Sequence, residues 1–123
     1  PDLILSEHST WKRIYLHRMK HSKICIASTG LHQSSGWKIA EYLAAGRAIV
    51  SEPLCYEVPG PFQAGENYLT YTSADGCIEQ IRTLLAHPEQ ILQMGQRNRA
   101  YYDEWLRPDQ IVTKALEQAK ILL

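Results

Sequence analysis

The spacing of apolar and polar positions changes several times along the chain, and each change predicts a new element of secondary structure. An apolar stripe at helical spacing predicts a helix that begins at Ser9 or Thr10 and ends near His21. The mostly apolar segment 23–28 then predicts a strand buried on both faces, as is typical of parallel sheets. Further short apolar runs predict strands at 48–51 and 68–71.

Helical spacing returns between the strands and dominates the second half of the chain. A short helix is expected at about 37–45, with Gly46 at the position of a C-terminal glycine. Later helices are expected to begin at Ser73 or Asp75, at His87-Pro88 and after Pro108. Alternating strands and helices predict a parallel α/β sheet with right-handed crossovers. An additional short strand is expected at Leu3–Leu5, and the aromatic residues Tyr101, Tyr102 and Trp105 are expected to anchor their helix to the core.

Composition narrows the class of protein. The 123 residues are enough for one domain with a core, and the formal net charge of zero does not point to nucleic acid as a partner. No apolar run approaches the ~20 residues that cross a bilayer, and the first residues lack the features of a signal peptide. The three cysteines are odd in number and widely separated, which argues against a disulfide framework or a zinc motif. We therefore expect a cytoplasmic protein.

Charge is unevenly distributed along the chain. Residues 9–40 carry six Lys or Arg side chains and no acid, whereas residues 41–123 carry seven basic and eleven acidic side chains. This basic block ends directly before Glu41. It predicts either a solvated helix face or a positive rim around a site for an anion such as phosphate.

The loop 30–37 and the helix after it form the candidate binding site. Ligands of open α/β sheets bind beyond the carboxyl ends of the strands, where the next helix begins. We expect the backbone of Ser35, Gly36 and Trp37 to contact a diphosphate there. Glu41, one turn into the helix, could accept two hydrogen bonds from a ribose diol. The alternative is a solvated glutamate that complements the helix dipole.

The segment KIAEYLAAGRAIVS, residues 38–51, resembles the nucleotide-binding helix and strand of retaining glycosyltransferases with the GT-B fold, the group 1 type. The segments 61–69 and 78–95 are similar to the regions that follow in that family, so the resemblance covers about 18–118. It implies a Rossmann-like, three-layer αβα domain with a small parallel sheet and a helical C-terminus. The whole chain, 1–123, would be the later part of the C-terminal domain, which binds the nucleotide-diphosphate sugar donor.

The resemblance also implies roles for individual residues. A Glu-x7-Glu motif in these enzymes places its second glutamate on the ribose, and that position is Glu41 here. The first glutamate contacts the sugar, but its position is Gln33, an amide that can donate and accept hydrogen bonds without supplying charge. Lys38 matches a basic position near the diphosphate. No catalytic residue is assigned beyond a weaker expectation for Gln33.

No metal or cofactor is implied, because GT-B enzymes generally need none. His17 and His21 have a spacing that can chelate a metal, but no third ligand is evident beside them.

The resemblance implies partners for this chain as well. GT-B enzymes bind the acceptor mainly through an N-terminal α/β domain, so we expect a hexosyltransferase within a longer protein and no activity of the 123 residues alone. The protein could be peripheral to a membrane, and an exposed sheet edge could allow self-association. The alternative is a non-catalytic Rossmann-like module for protein contacts or nucleotide binding.

Overall fold

Three parallel strands form the centre of the fold in the computed structural model, which describes residues 6–122. The strands are β1 (Ile24–Ala27), β2 (Ala48–Ser51) and β3 (Leu69–Thr70), in that spatial order. Ile24 lies opposite Ala48, and Val50 lies opposite Leu69, with both pairs of strands parallel. The predicted parallel sheet is confirmed; the strand expected at Leu3–Leu5 lies outside the described residues.

Five α-helices account for most of the rest of residues 6–122. They are α1 (Lys12–His21), α2 (Lys38–Ala44), α3 (Ala74–Ala86), α4 (Pro88–Tyr101) and α5 (Pro108–Leu122). Short 3-10 turns at Glu7–Thr10 and Leu31–Gln33 precede α1 and α2, and a π-helical turn at Tyr102–Leu106 separates α4 from α5. The predicted start of α1 at Ser9 or Thr10 is wrong, because these residues belong to the 3-10 turn and α1 begins at Lys12. Ser73 is the residue that caps α3, since its hydroxyl accepts a hydrogen bond from the Gly76 amide at 3.0 Å.

Side chains alternate between the two faces of the sheet and form two separate clusters. Cys25, Ala27 and Ile49 pack with residues of α1, α2 and the end of α4. Ala48 and Val50 pack on the other face with residues of α3 and the start of α4. This period of two gives helices on both faces, which confirms the Rossmann-like three-layer αβα fold.

Gly46 ends α2 in the conformation that its position in the sequence predicts. Its φ is +63°, its amide donates to Leu43 and the Arg47 amide donates to Tyr42, both at 3.0 Å, which together form a Schellman motif. Gly95 of α4 allows close packing against this turn, because a Cβ added to Gly95 would lie 2.5 Å from the Gly46 carbonyl oxygen. The end of α2 is therefore fixed against α4 by backbone contact.

The C-terminal helices differ in how they contact the core. Tyr101 is buried and its hydroxyl donates to the Pro59 carbonyl at 2.5 Å, while Tyr102 and Trp105 pack at the edge of the same cluster. The expected aromatic anchor is confirmed. The apolar stripe of α5 is instead exposed, with Val112 and Leu116 each more than half accessible. In residues 6–122, no helix has the length and apolar character that crossing a bilayer requires.

Candidate functional site

A cavity of about 640 Å³ opens between α1, the edge of β1 and the start of α2. Its lining combines charged and aromatic side chains with apolar residues of the strand. The polar and aromatic members nearest α2 are Lys12, Tyr15, Trp37, Lys38, Glu41 and Tyr42. Such a mixture of aromatic walls and a few converging polar groups is typical of small-molecule sites.

The burial pattern of α2 directs Glu41 toward this cavity. Ile39, Tyr42 and Leu43 are buried beneath the helix, and Glu41 lies about 100° from Tyr42 on the helical wheel, on the side of α2 that lines the cavity. Across the cavity, Met19 is the buried residue of α1, and Lys12 and Tyr15 lie on the neighbouring turns of the same helix. Packing of the two helices on β1 therefore brings Glu41 close to residues far earlier in the chain.

Glu41 forms an ion pair with Lys12 across the cavity. The Glu41 side chain is only 20% exposed, whereas that of Lys12 is 52% exposed. The Lys12 ammonium also lies 4.5 Å from the ring centroid of Trp37 and 5.6 Å from that of Tyr15. The ammonium is thus held by one carboxylate and two aromatic rings at once.

Two polar atoms beside this ion pair are buried and make no regular hydrogen bond with the described residues. They are Oε2 of Glu41 and the hydroxyl of Tyr15. Burial and the adjacent Glu41 carboxylate raise the pKa of Tyr15 above its ordinary value of 10.0. Tyr42 also faces this region, where burial raises its pKa and its hydroxyl donates to the Ile26 carbonyl at 3.2 Å. Both phenols therefore remain neutral near the carboxylate at neutral pH.

The structure brings together only part of the sequence-predicted site. Trp37 and Lys38 line the same cavity as Glu41, with Trp37 70% exposed. Ser35 and Gly36 line a separate apolar cavity of about 160 Å³ on the other side of α2. Gln33 is exposed in the turn before α2, with a φ of +61°, and lines neither cavity.

A match to a protein-family model identifies the family of this domain. The glycosyl transferase-like family model matches residues 4–117, nearly the whole chain. The chain belongs to the glycosyl transferase-like family. No curated protein and no solved structure matches it significantly. Membership confirms the resemblance to GT-B glycosyltransferases and establishes a glycosyltransferase-like domain on the Rossmann-like fold.

Lys12 and Tyr15 line the cavity beside Glu41 in this glycosyltransferase-like domain, and the sequence did not single them out. Lys12 lies 29 positions before Glu41, in the acid-free basic block that predicted a positive rim. The block indicated the charge but could not single out one lysine, because the rotation of α1 against α2 depends on tertiary packing. Tyr15 was recognised only as part of the apolar stripe of α1.

A second carboxylate, Glu52, was also missed. It follows β2 and accepts hydrogen bonds from the Thr29 amide at 2.7 Å and the Thr29 hydroxyl at 2.9 Å. These donors hold the pKa of Glu52 below its ordinary value of 4.5. The contact joins the carboxyl ends of β1 and β2 and fixes Thr29, two residues past the end of β1, directly before the loop 30–37.

The histidine pair of α1 forms a local contact. The rings of His17 and His21 have centroids 4.2 Å apart, and Nδ1 of His21 lies 2.8 Å from the His17 carbonyl oxygen. Among residues 6–122, no group of three or more His, Cys, Asp or Glu side chains is placed to hold a metal ion. Cys25 is buried in the core, where burial raises its pKa to about 11 and the thiol stays protonated.

Proposed function

We propose that this domain binds a nucleoside-diphosphate sugar in the cavity between α1 and α2, with Glu41 accepting hydrogen bonds from the ribose diol. The observation that carries the proposal is a partly buried carboxylate in an aromatic and basic cavity of a glycosyl transferase-like domain. A diol supplies two O–H donors, and a carboxylate is an acceptor of matching geometry and strong charge-assisted bonds.

Further residues would hold the rest of the donor. Lys38 lies at the start of α2 in the same cavity and would contact the diphosphate. The backbone of Ser35, Gly36 and Trp37 would add amide donors, since no side chain caps the first turn of α2. Ser35 and Gly36 line the smaller cavity, so the diphosphate would have to extend past Trp37 around the start of α2 to reach them. Gln33, in the turn before these residues, would contact the sugar through its amide. Trp37, which is largely exposed, would flank the donor.

The proposed reaction is transfer of a hexosyl group from the nucleotide-diphosphate sugar to an acceptor. Basic side chains near the diphosphate would stabilise the negative charge that develops on the leaving group. We propose that an N-terminal α/β domain of a longer protein supplies the acceptor site, and that the 123 residues alone are inactive. We propose that the reaction takes place in the cytoplasm, on a protein peripheral to a membrane.

Nucleotide binding by a Glu41→Ala variant tests this proposal. Calorimetric titrations first identify which of UDP, GDP and ADP the unsubstituted protein binds most tightly. Glu41→Ala is expected to lower the affinity for that nucleotide by about tenfold to a hundredfold, because a charge-assisted acceptor is lost. Glu79→Ala is the matched control, because Glu79 is an exposed glutamate of α3 and is not part of the cavity lining. Equal affinity of Glu41→Ala and the unsubstituted protein would contradict the ribose role.

Gln33 favours a second candidate function, a non-catalytic nucleotide-binding or protein-interaction module of the same fold. The family motif has an acid at this position, and an amide cannot offset positive charge on a reacting sugar. An assay of sugar release from UDP-, GDP- and ADP-hexoses separates the two functions. If the full-length protein and its Gln33→Glu variant bind a nucleotide-hexose but release no sugar, the non-catalytic module is favoured. Sugar release would favour the transferase.

A further inference from the structure

We propose that Lys12 exchanges partners during donor binding: it pairs with Glu41 before the donor binds and moves to the donor's phosphate when the ribose contacts Glu41. This inference rests on the proposed function and adds a phosphate-binding residue from α1. Nothing in the sequence motif of α2 assigns such a role to α1.

The position of the Lys12 ammonium implies that a ribose diol must displace it from Glu41. It contacts the Glu41 carboxylate, and it lies within 4.5 Å of the Trp37 ring centroid at the start of α2. A ribose diol bound to Glu41 must therefore compete with the ammonium for the carboxylate. Since the Lys12 side chain is 52% exposed and flexible, it can leave without disrupting the packed core.

The charges of the cavity lining favour binding of a phosphate once Lys12 has left Glu41. Glu41 is the acidic residue of the lining, whereas Lys12, Arg18 and Lys38 are basic. Within residues 6–122, neither Arg18 nor Lys38 forms a salt bridge, so Lys12 alone of the three has its charge neutralised. When the diol takes over the carboxylate, the released ammonium adds to a positive wall, and a diphosphate is the anion of matching charge.

The aromatic contacts explain why the exchange needs only a small movement. The Trp37 and Tyr15 rings both hold the ammonium by cation–π attraction while it contacts Glu41. Swinging from the carboxylate toward Trp37 keeps one of these contacts. The same movement carries the charge toward Lys38, at the other end of the first turn of α2.

The Lys12→Met variant distinguishes exchange from a purely structural ion pair, because methionine keeps an apolar stem over Trp37 without the charge. Binding of uridine, guanosine and adenosine, and of their 5′-diphosphates, is measured by NMR titration on the full-length protein. We expect the nucleoside that binds best to bind about twofold to fivefold more tightly, since its diol no longer competes with the ammonium. Its diphosphate should bind about tenfold more weakly, since a charge-assisted contact is lost.

Opposite signs in these two titrations support the exchange, and any other combination overturns it. A structural role would move both affinities in the same direction or leave both unchanged. Lys20→Met is the control, because Lys20 is an exposed lysine of the same helix and does not line the cavity. If the unsubstituted protein binds none of the diphosphates, the proposed function is contradicted as well. If it binds a diphosphate and Glu41→Ala weakens that binding, the proposed function stands and the Lys12→Met titrations test the exchange alone.

Discussion

Glu52 shows at the scale of single residues how a side chain outside the cavity positions the site. Its carboxylate accepts two hydrogen bonds from Thr29, which lies two residues past the end of β1 and directly before the loop 30–37. The interaction depends on the negative charge, because a protonated carboxyl is a weaker acceptor. We therefore expect the order of this loop to depend on pH.

Amide hydrogen exchange at Thr29 tests this dependence. Because the folded-state pKa of Glu52 is lowered, its stabilising contribution is present above the ordinary value of 4.5 and is lost as pH falls through the lower folded value. The Thr29 protection factor should stay constant from neutral pH down to about 4.5 and then decrease. Glu52→Gln should reduce protection at neutral pH; the same protection in both proteins would contradict the proposed anchor.

Sequence reasoning at this scale could place Glu41 but not its partners. The position of Glu41 follows from local helix geometry and from the family motif, so Ile39 and Leu43 predict its side of α2. Lys12 and Tyr15 approach Glu41 only because two helices pack on the same face of β1. Single-sequence patterns contain no information on that packing angle.

At the scale of elements, a buried amide joins α4 to the sheet and to the segment before β3. Asn98 is fully buried; its Nδ2 donates to the Arg47 carbonyl at 2.8 Å and the Asn67 carbonyl at 2.9 Å. Its Oδ1 accepts from Nδ2 of Asn67 at 3.2 Å. Arg47 directly precedes β2, so α4 is held against the entry of the central strand.

Asn98→Ala is expected to destabilise the fold by about 2–4 kcal/mol, because it leaves three buried polar groups without a partner. Urea unfolding monitored by circular dichroism measures the loss as a lower midpoint with an unchanged slope. Gln96→Ala, at an exposed position of the same helix, should change the midpoint little. Similar midpoints for Asn98→Ala and Gln96→Ala would mean that the amide network contributes no net stability.

Elements were predictable from the sequence where a local signal exists. Pro88 and Pro108 begin α4 and α5, Ser73 caps α3 and Gly46 ends α2, as their chemistry predicts. The π-helical turn Tyr102–Leu106 has no comparable signature. The short length of β3 was also unpredictable, because strand ends depend on where pairing with β2 stops.

At the scale of the whole molecule, β1 forms one edge of the sheet in the part of the chain that the structure describes. Within residues 6–122, β1 pairs only with β2, and Ile26 of β1 is 49% exposed. An unpaired strand edge with an exposed apolar residue favours pairing with another strand. An exposed sheet edge was expected from the sequence, but the strand order that leaves β1 at the edge comes from the structure. Self-association through this edge is a proposal.

Sedimentation velocity over a range of concentrations tests the open edge. We expect the 123-residue chain to associate in a concentration-dependent way, and Ile26→Lys to reduce the association, since a charge at an edge strand disfavours pairing. Leu92→Lys, at an exposed apolar position of α4 and not in a strand, is the control. A monomer at every concentration, or an effect of Leu92→Lys alone, would exclude β1 as the contact.

The central claim is that the carboxylate of Glu41 binds the ribose diol of a nucleoside diphosphate. The most direct test compares the affinities of a ribonucleoside diphosphate and its 2′,3′-dideoxy counterpart, for the unsubstituted protein and for Glu41→Gln. If Glu41 binds the diol, the unsubstituted protein should bind the ribonucleotide about tenfold or more tightly than the dideoxy analogue, and Glu41→Gln should largely lose this preference. The same preference in both proteins would contradict it.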